Sequence, residues 1–342
     1  MTPPNSPNRR DFLQAGVAGL AASTLASPVE AQQAGPGGVP LRPLGRTGVM
    51  VSLLCLGGHS STNPRKLSEK ESLALIQRAV DEGITFMDNC WDYHDGLAEE
   101  RMGKALAEGG RRDKCVLMTK VCGRTAKEAT SNLEDSLRRL KTDHLDLWQF
   151  HEIVYDNDPD WVFAADGAIQ AGLKAVKDGK VRFLGFTGHK DPSIHLKMLS
   201  KPYDWATVQM PLNVMDVHYR SFQRQVLPEL VRRGIGVLGM KSLGGNGSIV
   251  SKAGIPVEDA LRYVLSLPIS TLVSGIDSMK VLDQNLKIVR EFRPLTDSER
   301  LAVEARTLQL AGDGRFELFK SSKVFDGPVH RKQHGFDTSM PA

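Results

Sequence analysis

A closed (β/α)8 barrel is the fold class this sequence predicts, and three observations lead to it. Eight short apolar runs, each followed by a stretch with helical spacing, succeed one another between residues 53 and 292. Three successive runs end in a polar residue, Asp88, Lys120 and His151, where the chain leaves a buried strand. The turn after the first run, Gly57-Gly58-His59, lacks the Gly-x-Gly-x-x-Gly pattern that an open doubly wound sheet places there. Eight such pairs over about 240 residues match the ordinary size of a closed barrel.

Residues 1–31 stand outside the pattern. Arg9-Arg10-Asp11-Phe12-Leu13 precedes an Ala/Gly-rich apolar stretch, Ala15 to Ala26, and Val29-Glu30-Ala31 offers small residues of the kind a signal peptidase cuts behind. Paired arginines before a short, weakly apolar core resemble a twin-arginine export signal. That core is too short for a bilayer interior of about 30 Å, so no stable membrane span is expected once the chain is cut after Ala31. The expected route is the twin-arginine export machinery and the expected destination the periplasm.

A Gly/Pro-rich linker, 32–40, leads into two short runs around Gly45-Arg46-Thr47-Gly48, which read as a hairpin. The first strand is expected at 53–56. Ser68, with Glu71 three residues on, forms a capping box for the first helix, which Gly83 ends. The second strand, 84–87, stops at Asp88; a polar loop holding Tyr93 follows, and then a helix through Leu97, Met102 and Leu106. Strand three is expected at 115–121 with a helix at 125–140, strand four at 145–151 with a helix at 164–178, and strand five at 181–186. Asp191-Pro192 supplies a cap and first turn for the fifth helix. Strand six (206–210), helix six (222–233), strand seven (236–240), a helix from Pro256, strand eight (271–276) and a helix at 278–292 complete a barrel at 41–293. The extension, 294–342, opens with a helix expected from Thr296 to about Leu310.

With 342 residues, 41% hydrophobic and 25% charged, the chain has ample material for a large core. The net charge of +4 belongs entirely to residues after 31, because Arg9 and Arg10 cancel Asp11 and Glu30. No Lys/Arg runs interleave with aromatics, so no nucleic-acid partner is expected; the mild basicity suits a phosphorylated cofactor or an anionic substrate. The four cysteines, Cys55, Cys90, Cys115 and Cys122, match no zinc or iron–sulfur spacing, and no metal is expected. They read as small apolar or loop residues. Cys90 and Cys122 each stand two residues past a strand-end residue, which makes a disulfide between them conceivable outside the cytoplasm.

In a parallel barrel the C-terminal strand ends converge on one face. Asp88, Lys120 and His151, with Tyr93 in the loop after strand two, therefore share a rim. Asp88-x-x-x-x-Tyr93, Thr119-Lys120-Val121, Asp146-Leu147-Trp148-Gln149-Phe150-His151 and Gly179-Lys180-Val181-Arg182-Phe183-Leu184-Gly185 together resemble the aldo-keto reductases. The resemblance covers about residues 40–293, including the hairpin that plugs the barrel floor. It implies an NAD(P)H-dependent reductase of small-molecule carbonyls with Tyr93, Lys120, Asp88 and His151 as its catalytic set. The residue types suit that chemistry. Hydride delivery builds charge on the carbonyl oxygen, Tyr93 stands as its proton donor, and Lys120 is expected to lower the phenol's pKa. Asp88 holds Lys120, and His151 bonds the same oxygen.

The resemblance also assigns cofactor contacts. Thr187, Gly188 and His189 follow strand five, where the family shows Ser-Asn; Thr187 keeps a hydroxyl, and His189 stands in for the amide. Gln209 is expected at the nicotinamide carboxamide, and Met240 replaces the aromatic that packs on the ring. Lys241, Leu243 and Gly244 after strand seven, and Gly275, Asp277 and Ser278 before helix eight, are expected near phosphates. Gln284 and Asn285 fall where the family contacts adenine. The family's 2′-phosphate cation falls at Val281, leaving Lys280 to supply the charge, so NADP(H) is favoured with NAD(H) as the alternative. Trp91 and Trp148 are expected in the substrate pocket, and Phe316, Phe319 and Phe325 are candidates for a lid. A competing reading is a nucleotide-binding sensor or partner subunit on the same barrel, as in the potassium-channel beta subunits.

Overall fold

The computed structural model describes residues 33–339, so the expected export signal lies outside the described residues. Eight parallel strands close into a barrel: β1 (Leu54–Gly57), β2 (Phe86–Asp88), β3 (Val116–Val121), β4 (Leu145–Phe150), β5 (Val181–Thr187), β6 (Thr207–Pro211), β7 (Gly236–Met240) and β8 (Thr271–Ser274). Closure is made by β8 against β1, with Leu272 opposite Leu54. The helices that follow them are α1 (Glu69–Asp81), α2 (Leu97–Leu106), α3 (Ala126–Arg139), α4 (Ala168–Lys177), α5 (Pro192–Leu199), α6 (Leu227–Arg233), α7 (Val257–Leu265) and α8 (Met279–Arg290).

Local chemistry explains the boundaries. The Ser68–Glu71 capping box opens α1 as the spacing predicts, and Thr125–Glu128 makes a second one at α3. Asp191 accepts from the Ser193 amide ahead of Pro192 at the start of α5. The single helix expected at 222–233 is two, Phe222–Gln225 and α6. Pro228 lacks an N–H and its ring would crowd the carbonyl four residues back, so the helix restarts at Leu227.

The hairpin pairs Pro40–Pro43 with Met50–Ser52 and closes the barrel's N-terminal end. Leu44 and Val51 from this plug meet Cys55, Phe86, Met118, Leu147 and Leu238, one apolar layer across the barrel floor. Arg42 is wholly buried beneath it and donates to the carbonyls of Leu265, Leu267 and Ile269 at 2.8, 3.3 and 3.0 Å. Those carbonyls lie at and beyond the end of α7, where a helix leaves acceptors unpaired and a cation is favoured.

After α9 (Asp297–Ala311) the tail crosses the opposite, C-terminal face of the barrel. Lys320 anchors it, wholly buried between the Asp216 and Glu317 carboxylates at 2.6 and 2.9 Å and the Tyr219 carbonyl at 2.8 Å. Among the described residues no helix is long and apolar enough to cross a membrane.

Candidate active site

Strand alternation builds the site. Residues two apart on a strand share a face, so the floor positions Phe86, Met118 and Leu147 set the inward parity of β2, β3 and β4. Two residues further along, the interior turns polar at Asp88, Lys120 and Gln149, and His151 is two beyond that. The same parity brings Thr187, Gln209 and Met240 inward from β5, β6 and β7. Asp88, Lys120, His151, Thr187, Gln209 and Met240 thus converge on one rim.

Lys120 is the hub. Its Nζ donates to Asp88 Oδ1, to the Asn89 carbonyl at 2.7 Å and to the Tyr93 hydroxyl at 3.3 Å. Three acceptors for three protons is the pattern of an ammonium. Burial works to discharge this group, but Asp88 and the neighbouring acidic side chains hold it above its usual range. Burial also pushes the Asp88 carboxyl up against the pull of Lys120; the hydrogen-bond pattern supports the ion pair.

Tyr93 departs from expectation. Burial raises its phenol well above the usual value, and Asp88, Cys90, Asp92 and Glu152 raise it further. Burial and the acidic side chains around the hydroxyl leave Tyr93 firmly protonated rather than acidified. Its ring stands edge-on to His151 and His59, with centroids 5.7 and 5.2 Å apart. His151 is held neutral: burial, then His330, Lys120 and Arg124, push its pKa well below the ordinary range. Its Nδ1 lies 3.1 Å from Cys90 Sγ, 3.5 Å from Cys122 Sγ and 3.6 Å from Asp92 Oδ1. All four cysteines are free thiols, with Cys90 and Cys122 sulfurs 4.0 Å apart.

The other expected residues divide. Thr187 sits opposite Gln209 in the β5–β6 register, and Gln209 Oε1 is a buried acceptor without a partner. Lys241 follows Met240 in a left-handed backbone conformation, φ 54°. Gly244 lies against the tail, where an added Cβ would come within 2.9 Å of the Phe316 carbonyl oxygen. Leu243 and Gly188 lie in the loops beside these positions. Ser278 caps α8 by accepting from the Val281 amide at 3.3 Å, Asp277 pairs with Lys66, and Gly275 and Lys280 are exposed. Gln284 faces an open groove between α7 and α8 with Glu258 and Arg262.

Three expectations need correction. Trp148 has the opposite parity to Leu147 and Gln149, so it points out of the barrel, where it packs with Phe150 beneath the helices instead of lining a pocket. Trp91 leaves the rim for α3, donating to Asp135 at 3.2 Å with the Arg139 guanidinium 5.5 Å from its ring. Asn285 is buried and turned onto Ser274, to which its amide donates at 2.8 Å, so that amide is already engaged.

The tail brings the lid candidates Phe319 and Phe325 to the rim, and with them polar groups that carry no local sequence signal. Asp326 accepts from Lys190 at 2.6 Å and from the Tyr155 hydroxyl at 2.9 Å, and lies 3.3 Å from His189 Nε2. Burial works to raise this carboxyl, but His189 and Lys190 bring it down to about 2. His189, expected at the cofactor, is therefore engaged by the tail. The Gly327 amide donates to Glu152 at 2.7 Å, His330 packs 5.2 Å from His151, and Phe319 and Phe325 cover the Lys241 ammonium at 5.6 and 5.3 Å. Four of the six non-glycine residues with positive φ among the described residues, His94, Asp95, Glu152 and Lys241, stand at this rim. Strained backbone of this kind gathers at functional sites.

A parallel barrel whose rim unites a carboxylate, an ammonium, a phenol and an imidazole has the makings of an oxidoreductase. Residues 53–256 match the model of the Aldo/keto reductase family, and the chain belongs to that family. It is 32% identical over 225 residues to the uncharacterized oxidoreductase YrpG of Bacillus subtilis (strain 168), covering 59% of this chain and 66% of that one. The chain thus spans just under two thirds of that relative. L-galactose dehydrogenase of Arabidopsis thaliana is 29% identical over 314 residues, 78% of this chain and 94% of that protein. Among solved structures, the holo form of an aldo-keto reductase from Bacillus halodurans superposes with a TM-score of 0.67 at 24% identity, covering 78% of this chain and 96% of the other. That likeness shows the fold.

The tail contacts yield a prediction. Asp326→Ala removes a buried anion from Lys190, His189 and Tyr155 together, and should loosen tail docking by about 3 kcal/mol. Hydrogen exchange over residues 316–336 should speed by roughly 100-fold; unchanged protection there contradicts the assignment.

Proposed function

We propose that this chain reduces the carbonyl group of a small aldehyde or ketone with NAD(P)H, Tyr93 donating the proton. The observation behind the reading is the continuous chain from Asp88 through Lys120 to the Tyr93 hydroxyl, with His151 set edge-on beside it. The rim suits a dinucleotide. Gln209 Oε1 is an unpaired acceptor ready for a carboxamide, and the capped N-terminus of the 12-residue α8 suits phosphate. Thr187, Gly188, Met240, Lys241, Leu243, Gly244, Gly275, Asp277 and Ser278 would line the cofactor's path. Lys280, exposed in the first turn of α8, favours NADP(H) over NAD(H). The reduced nicotinamide supplies a hydride to the carbonyl carbon.

The side chains then have separable tasks. Charge gathers on the carbonyl oxygen, and the protonated Tyr93 hydroxyl gives up its proton to it. Lys120, pinned by Asp88 and the Asn89 carbonyl, steadies the phenolate left behind. His151 is neutral, and a neutral imidazole with its proton on Nε2 donates to the same oxygen. The high resting pKa of the phenol is compatible with this role, because the developing alkoxide is a stronger base than a phenolate. Tail residues Phe319 and Phe325 help exclude water from the rim.

Tyr93→Phe should lower kcat by about 10²–10⁴-fold, with cofactor affinity kept, in an assay following NADPH absorbance with a small aldehyde panel. Equal turnover by wild type and variant contradicts the reading, and no turnover by either favours the sensor reading. The depressed His151 pKa and raised Tyr93 pKa also fix the pH profile: His151 gains its proton only well below 6.5, and Tyr93 loses its proton only well above 10. Neither group should give the chemical step an inflection between about pH 6 and 8; an inflection near 6.5 that depends on His151 contradicts the assignment.

The first 31 residues carry the chain through the twin-arginine route to the periplasm. Replacing Arg9 and Arg10 with lysines in a fusion of residues 1–35 to a reporter should stop export; undiminished export contradicts this.

A further inference from the structure

The side chains behind His151 form an arrangement that carbonyl reduction does not use. Cys90 comes from the loop after β2, Cys122 stands just past β3 and His151 just past β4, so three successive strand ends aim donor atoms at one point. Asp92 approaches from the β2 loop. Cys90 Sγ, Cys122 Sγ, His151 Nδ1 and an Asp92 carboxylate oxygen all lie within 4.8 Å of one another. The three cysteine and histidine side chains are buried, and Asp92 Oδ1 is a buried oxygen with no hydrogen-bond partner.

We propose that Cys90, Cys122, His151 and Asp92 form a binding site for a divalent transition-metal ion of the zinc class. Zinc takes thiolate sulfur at about 2.3 Å and imidazole nitrogen or carboxylate oxygen at about 2.0–2.2 Å, which in a tetrahedron sets the ligand atoms about 3.3–3.8 Å apart. The separations here are 4.0 Å between the sulfurs, 3.1 and 3.5 Å from the sulfurs to Nδ1, and 3.6 Å from Nδ1 to Asp92 Oδ1. The Asp92 oxygen lies within 4.8 Å of both sulfurs, so the carboxylate and the thiols must draw inward by up to about 1 Å to close a tetrahedron. Two thiolates, an imidazole and a carboxylate, a mixed set of sulfur, nitrogen and oxygen donors, select zinc, or cobalt in its place, over magnesium or calcium, which take oxygen.

Burial raises the Cys90 and Cys122 thiols and the Asp92 carboxyl, so an entering dication has to displace their protons. Two thiolates and one carboxylate around a dication leave a single net negative charge, and the Lys120 ammonium nearby already feels Cys90 and Asp92. Binding releases the two thiol protons to solvent, and the metal gives Asp92 Oδ1 the partner it lacks. Coordination through Nδ1 leaves Nε2 as the only N–H of the His151 ring, and Nε2 has no hydrogen-bond partner among the described residues. The ion is thus a structural clamp that fixes the tautomer and tilt of His151. It is no Lewis acid on the substrate, because all four positions are filled by protein.

The site goes beyond the reductase reading, and its test is spectroscopic, so neither result depends on turnover. The full chain, reduced with a phosphine and stripped of metal, is titrated with Co²⁺ and then with Zn²⁺. The expected result is one Co²⁺ per chain, with tetrahedral ligand-field bands and a thiolate-to-cobalt charge-transfer band, both erased by Zn²⁺. Cys90→Ser and Cys122→Ser each weaken or remove the charge-transfer band, whereas Cys115→Ser, outside the cluster, keeps it. Should either serine variant fail to fold, X-ray absorption of the zinc-loaded wild type decides, with two sulfur ligands expected. Reduced, folded wild type that takes up no Co²⁺, or takes it up without thiolate bands, overturns the proposal.

Discussion

Lys120 reaches three acceptors from inside a barrel where almost no water is available to replace any of them. The carboxylate of Asp88 lies opposite in charge, the Asn89 carbonyl fixes direction, and the Tyr93 hydroxyl takes the remaining proton. An ammonium in so dry a place is tolerable only because every proton is used. The arrangement therefore constrains its surroundings: β2 and β3 must be in register, the Asn89–Tyr93 loop must curl back over the strand end, and nothing may displace Asp88. Phe86 and Met118 meet this demand from below. They fix the inward parity of both strands two residues before the charged pair.

That parity also separates what the sequence made legible from what it did not. Asp88, Lys120 and His151 were readable because each ends an apolar run, and a strand's period of two leaves little freedom over where such a residue points. Trp148 was misplaced for want of the same count: it is three residues before His151, an odd number, which puts it on the opposite face. Trp91 was misplaced for another reason. A loop residue has no period, and its destination depended on Asp135 and Arg139, which come from a helix more than forty residues along the chain.

The acid–base balance was the least legible feature. Spacing put a lysine beside a tyrosine, from which a lowered phenol pKa follows. Spacing did not reveal how deeply the hydroxyl is buried, nor that Asp92 and Glu152 share its surroundings. Nor did it show that Lys320 and Asp326 anchor the tail whose phenylalanines were candidates for a lid. Those contacts join the tail to residues about a hundred or more positions away, Asp216 to Lys320 and Tyr155 and Lys190 to Asp326, and no local pattern announces them. The tail also touches two of the residues expected at the cofactor: His189 lies 3.3 Å from Asp326, and Gly244 lies against the Phe316 carbonyl.

The account stands on Lys120 and Tyr93 acting as one unit, and a double-mutant cycle on the single-turnover rate of carbonyl reduction measures that most directly. With Lys120→Met, Tyr93→Phe and the pair compared against wild type, the account predicts that the double variant is scarcely slower than Tyr93→Phe alone. An ammonium with no phenolate to steady has nothing left to contribute. Losses that multiply, with each residue acting as though the other were absent, would contradict it.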